Sequence, residues 1–182
     1  MPRAPDMRRA LVLLLVLALA ACDSSTPKNA LGSRKIAVNE RVAAPAMSGD
    51  LMNGAGRFEL AQHRGEVVVV NFWASYCPPC RTEAPELEKV LAATKADGVT
   101  FIGVNIRDQK SPAENYLADI KPTYGSIFDP SGSLALNFDV PPNSIPATLV
   151  IDKAGRIAAV MRSAVDEKLL EPIVRDLLAE QG

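Results

Sequence analysis

The chain has 182 residues but only three cysteines, one histidine and 5% aromatics. Each shortage excludes something. A structural zinc site wants four ligands, and Cys22, Cys77, Cys80 and the single His63 do not make such a set. Net charge is −1, with no basic stripe, so nucleic acid has no electrostatic foothold. There is no nucleotide or flavin motif, so no cofactor is expected. The long apolar run at 10–21 is shorter than the ~20 residues a bilayer-spanning helix needs. Internal repeats and low-complexity tracts are missing as well.

What is present begins with that apolar run. Arg3, Arg8 and Arg9 precede it, the layout of a secretory signal. It ends Leu19-Ala20-Ala21-Cys22, which resembles the lipobox of bacterial lipoproteins. The resemblance implies cleavage before Cys22 and lipidation of that residue; the alternative is an ordinary signal peptide that leaves Cys22 free. The expected organisation is a lipoprotein signal peptide over 1–21, a flexible membrane tether over 22–42, and a folded domain over 43–182.

Within the folded part, a short hairpin or irregular strand pair is expected over 43–56 and a helical turn over 58–64. Val67-Val68-Val69-Val70-Asn71-Phe72 is a continuous β-branched run, the pattern of a strand buried on both faces. Ala84, Leu87, Val90, Leu91 and Ala92 recur at helical spacing over 79–97, with Pro85 inside and Gly98 at the end. A strand over 99–106, a helix over 112–120, a short strand over 126–128 and a short helix over 133–138 follow. A hairpin joins 148–152 to 157–162 through Lys153-Ala154-Gly155-Arg156, and an amphipathic helix closes the chain over 166–180. Strands alternating with helices give an α/β fold whose ligands lie at the carboxyl ends of the strands.

Asn71 to Cys80 reads NFWASYCPPC, placing two cysteines two residues apart at such a strand-to-helix junction. That is the layout of a thiol–disulfide site. Cys77 falls at the helix N-cap, where its sulfur can accept the Cys80 amide, and the helix dipole favours negative charge there. One helical turn brings the Cα atoms to about 5.5 Å, suitable for a disulfide. Cys77, exposed at the helix start, is expected to attack, and the more buried Cys80 to resolve the mixed disulfide. Pro78 and Pro79 stiffen the loop and remove two amide donors, which leans away from a strong oxidant. Glu83 lies on the same helix face as Cys80; its charge raises a thiol pKa, and it can accept the proton of Cys80.

VVVVNFWASYCPPC, the run Ile145-Pro146-Ala147-Thr148 before LVID, and the turn KAGR together resemble the thioredoxin superfamily. Within it they resemble the membrane-tethered TlpA/ResA-like thiol–disulfide oxidoreductases. The resemblance covers about residues 42–180 and implies a thioredoxin-like fold, a central mixed sheet with helices on both faces and a short N-terminal β extension. It implies that Pro146 is a cis proline facing the cysteines and that Ile145 offers backbone groups to an extended substrate segment, with Trp73 and Tyr76 as further substrate contacts. Thioredoxin-type proteins usually carry a buried aspartate where this chain has Asn71, and a tryptophan where it has Tyr76. The first departure moves acid–base work to Glu83.

The resemblance further implies a lipid-anchored, extracytoplasmic monomer that reduces cysteine-containing proteins, apocytochrome c being the family's best-known target type, with electrons from a membrane thiol carrier. Two rivals stay open: a protein-disulfide oxidant using the same pair, and a thioredoxin-fold metallochaperone. The two-residue spacing and the position of His63 argue against the metallochaperone, and the loop motif argues against a peroxidase.

Overall fold

A computed structural model describes residues 1, 32–52, 54 and 56–180. The signal peptide and Cys22 lie outside the described residues. The strands are β1 (Ser33–Lys35), β2 (Ser48–Asp50), β3 (Arg57–Glu59), β4 (Val67–Trp73), β5 (Val99–Ile106), β6 (Gly125–Asp129), β7 (Ala147–Ile151) and β8 (Ile157–Met161). The α-helices are α1 (Pro78–Thr94), α2 (Lys110–Ile120), α3 (Ser133–Asn137) and α4 (Glu167–Ala179). Short 3-10 turns cover Val38–Glu40, Leu60–His63 and Lys95–Asp97.

Six strands form a mixed sheet in the order β1-β8-β7-β4-β5-β6. β4 pairs parallel with β5, and β5 with β6, because helices α1 and α2 carry the chain back between them. β7 and β8 are antiparallel, joined by the expected turn. All seven residues of β4 are buried, as its β-branched run requires. Val67 and Val69 pack with Leu87 and Val90 of α1 and with Leu170, Val174 and Leu177 of α4. Val68, Val70 and Phe72 face the opposite way, onto Ala135 of α3, Phe138, and Met47, Phe58 and Leu60 around the β2–β3 hairpin. Alternation along one strand thus builds both halves of the core. Each of these fully buried aliphatic side chains contributes about 1.5–3 kcal/mol.

Helix ends differ from the expected ones by a residue or two. Helix α1 starts at Pro78 and gives way to the 3-10 turn at Lys95. Helix α2 starts at Lys110, ahead of Pro112.

The larger correction concerns the tether. Residues 33–41 belong to the folded body and not to a flexible linker. β1 adds to the sheet edge with Ser33 opposite Met161. Arg41 is buried, and its guanidinium reaches Asp152 at 3.1 Å and Glu180 at 2.5 and 2.8 Å. Its Nε donates to the Ile36 carbonyl. These partners lie 111 and 139 residues away, so the polar composition of 22–42 hid the contact. Met161 also pairs with Thr148, which pairs with Asn71, so the chain enters β1 at the pole where β4 ends.

Candidate active site

β4 delivers its last residues to the carboxyl pole of the sheet, and α1 begins five residues after it. Cys77 is the N-cap residue of α1, and the Cys80 amide donates to its sulfur at 3.3 Å. The two cysteines form a disulfide, with Cα atoms 5.3 Å apart. Pro78 and Pro79 occupy the first helical turn, where their missing amides leave no helical bond unmade.

The burial of the pair departs from the expectation. Cys77 is 5% exposed and Cys80 3%, so in the disulfide form both are covered. The cause is lateral packing: Trp73, Ala74, Ala113 and Tyr116 cluster with the sulfurs, and Ile145 packs against the same group. Tyr76, immediately before Cys77, projects outward at 59% exposure.

The Ile145–Pro146 bond is cis, as the resemblance implied. Pro146 is buried and leads directly into β7. Trp73 is placed differently from a substrate contact. It is 5% exposed, its indole N–H donates to Ser126 Oγ at 2.9 Å, and its ring lies 5.3 Å from that of Tyr116. Gly103 makes room for it, since a Cβ there would sit 3.0 Å from the indole nitrogen and 2.8 Å from Ser126 Oγ. Trp73 is the floor under the cysteines.

Glu83 is fully buried, one turn beyond Cys80. Its Oε1 accepts from Asn71 Nδ2 at 2.7 Å, and its Oε2 accepts the Val165 amide at 3.0 Å. Asn71 spends its other N–H on Thr148 Oγ1 at 3.0 Å. No cation contacts the carboxylate among the described residues. Burial raises its pKa to about 7, and the two hydrogen bonds offset only part of that. Asn71, read in the sequence as a loss of acid–base function, is therefore the side chain that holds the titrating group.

Several supporting residues were missed. Asp108 accepts the Ser75 amide at 2.5 Å, Ser75 Oγ at 3.0 Å, Asn105 Nδ2 at 3.0 Å and the Gln109 amide at 2.8 Å. Burial works to raise its pKa, and these bonds hold it below the ordinary value. Arg81 Nε donates to the Ser75 carbonyl at 3.0 Å, and its guanidinium lies over the Tyr116 ring at 4.7 Å. Together they fix the loop before Cys77. A signal existed for Asp108, which follows a strand at the carboxyl pole; nothing local marked Tyr116. His63 is far from this chemistry, stacked on Phe58 and bonded to Glu66 at the opposite end of β4.

Residues 41–160 match the AhpC/TSA family. The chain belongs to the AhpC/TSA family. It is similar to the thiol:disulfide interchange protein HelX of Rhodobacter capsulatus, 34% identical over 138 residues and covering 75% of each chain. The thiol-disulfide oxidoreductase ResA of Bacillus subtilis is 27% identical over 164 residues, 90% of this chain and 88% of that one. A secreted thiol-disulfide isomerase from Corynebacterium glutamicum superposes with a TM-score of 0.77 at 29% identity, covering 84% and 95% of the two chains. This AhpC/TSA member is thus a thioredoxin-fold thiol–disulfide oxidoreductase of the HelX and ResA type.

Proposed function

We propose that this oxidoreductase works as a reductant: the Cys77 thiolate attacks a target disulfide, and Cys80 then displaces the target. Its targets are cysteine-containing proteins outside the cytoplasm, with apocytochrome c the leading candidate. The domain is lipid-anchored through Cys22 and recharged by a membrane thiol carrier. Tyr76 and the Ile145–Pro146 segment form the docking edge, an extended target adding to Ile145 as a strand.

The observation that carries this reading is the buried Glu83 beside Cys80, held by neutral donors alone. A strong oxidant is one whose reduced form is stabilised. Here Glu83 in its ionised form, near the sulfurs, disfavours thiolate, and Pro78 and Pro79 withhold two amides from it. Among the described residues a single amide, that of Cys80, reaches the Cys77 sulfur. The balance favours the disulfide, so the dithiol gives electrons away.

No described helix is long and apolar enough to cross a membrane. The short signal-like run before Cys22 supports attachment by lipid. The test of direction is the reduction potential of the Cys77–Cys80 couple. A value near the ~−270 mV of thioredoxin supports the reductant; one near the ~−120 mV of strong oxidants reverses it. Mass spectrometry of membrane-extracted protein, showing acylated Cys22 at the N-terminus, tests the anchor; an unmodified secreted form contradicts it.

A further inference from the structure

Behind the disulfide lies a small cavity of about 10 Å³, room for roughly one water. Cys80, Asn71, Trp73, Tyr116, Tyr124 and Ser126 are among the residues around it. Tyr116 is 6% exposed, and its hydroxyl finds no hydrogen-bond partner among the described residues. A buried hydroxyl left unbonded costs about 1–3 kcal/mol, so such a group calls for an explanation.

The surroundings fix this ring firmly. Trp73 packs on it at 5.3 Å and the Arg81 guanidinium covers it at 4.7 Å. Burial raises the Tyr116 pKa, the Arg81 charge lowers it and Glu83 raises it. The net rise keeps the phenol protonated, so it is a hydrogen-bond donor at every physiological pH. In the disulfide form the cysteine sulfurs are weak acceptors with no charge to stabilise. Reduction changes that, because a Cys80 thiolate is a strong acceptor and lies on the same cavity.

We propose that the Tyr116 hydroxyl donates a hydrogen bond, relayed by one water in this cavity, to the Cys80 sulfur of the reduced protein, favouring the thiolate that resolves the mixed disulfide. This deepens the reductant reading and rests on it for the identity of the step. In that step the Cys80 thiolate attacks Cys77 Sγ and forms the Cys77–Cys80 bond. The Cys77–target bond breaks, and the target sulfur leaves with the electron pair as a thiolate that takes a proton from solvent. Tyr116 gives up no proton; it is a positioning residue. Among the described residues, the charged and titratable groups around Cys80 include Cys77, Arg81 and Glu83 from the α1 end, Tyr116 from α2 and Tyr124 from the segment before β6. Glu83 and Tyr116 therefore pull on Cys80 in opposite directions, one by like charge and one by donation.

The experiment is alkylation of Cys80 against pH in full-length Cys77→Ala protein, followed on the Cys80 peptide by mass spectrometry so that Cys22 does not interfere. Tyr116→Phe keeps the ring between Trp73 and Arg81 and removes only the oxygen. The expected result is a Cys80 titration moved up by about one unit, which makes alkylation at pH 7 about tenfold slower. Resolution of a Cys77-linked mixed disulfide in otherwise unaltered protein should slow in parallel. An unmoved titration in the Phe variant overturns the proposal. An oxidant-like potential in the unaltered protein would instead overturn the reductant reading and leave the Cys80 titration fully readable.

Discussion

Two buried carboxylates stand at opposite poles of this sheet, and they behave in opposite ways. Asp152, just past the end of β7, is bonded to Arg41 at 3.1 Å and to Arg156 at 2.9 Å. Burial works to raise its pKa, but the Arg156 amide and the two guanidinium groups outweigh it and hold the carboxyl below its ordinary 3.8. Glu83, at the cysteine pole, is met by an amide side chain and a backbone N–H, and burial carries it to about 7. Both side chains are covered, but Glu83 lies deeper: Asp152 is a fixed anion because cations complete its shell, and Glu83 titrates because deeper burial meets only neutral donors. One pole is built to stay closed, the other to exchange protons near neutral pH.

The largest expected effect separates the poles by activity. Cys77→Ser should abolish disulfide reduction and Cys80→Ser should accumulate mixed disulfides on Cys77, read on non-reducing gels. Stability should change little in either, because so short a disulfide loop constrains the unfolded chain weakly. Equal and unreactive behaviour of both variants would remove the division of roles.

Next comes the closed pole. Arg41→Ala leaves Glu180 without its guanidinium partner and Asp152 with Arg156 alone, and should destabilise the fold by about 3 kcal/mol in urea unfolding. The rate per folded molecule should not change. A variant as stable as the parent would show that the N-terminal segment is not clamped there. Asp152, with its depressed pKa, supplies stability above about pH 4 that is lost as pH falls through its folded value.

Glu83 has the opposite sign. Its folded pKa lies above the ordinary 4.5, so between there and about 7 the folded chain holds the extra proton and stability falls as pH rises. The full cost at high pH is about 3 kcal/mol. Glu83→Gln should flatten this slope, for a net gain of about 2 kcal/mol at pH 8, since one of the two accepting contacts becomes donor against donor. A slope identical to the parent's between pH 5 and 8 would reject Glu83 as the titrating group.

The smallest effect is expected at Asp108. Asp108→Asn should cost about 1 kcal/mol and slow target reduction by loosening the Ser75 turn before Cys77. Equal hydrogen-exchange rates at the Ser75 amide in the two proteins would show that Asp108 does not hold the loop.

Much of this was legible in the chain, and the reason differs from residue to residue. The β-branched run at 67–70 could be read as a buried strand because its pattern is local. The cysteine pair and the helix following it were legible for the same reason, since two-residue spacing and strand-to-helix order need no distant partner; the role of Pro146 before β7 came from the family resemblance instead. Trp73 was misplaced because its role depends on Ser126, 53 residues away, and on the bare backbone at Gly103. The tether was drawn too long because Arg41 looks like a linker residue until Asp152 and Glu180 surround it.

The sequence by itself determined the order of the elements from β4 onward, the place of Cys77 at a helix N-cap and the chemistry of a two-electron dithiol, since all of these rest on local pattern. The tertiary structure alone decided what surrounds those sulfurs. Asn71, Glu83 and Val165 come from a strand, a helix and a loop, and Val165 lies 82 positions after Glu83. Only the closing of the sheet brings them together, and only the burial that follows moves a carboxylate's proton to neutral pH.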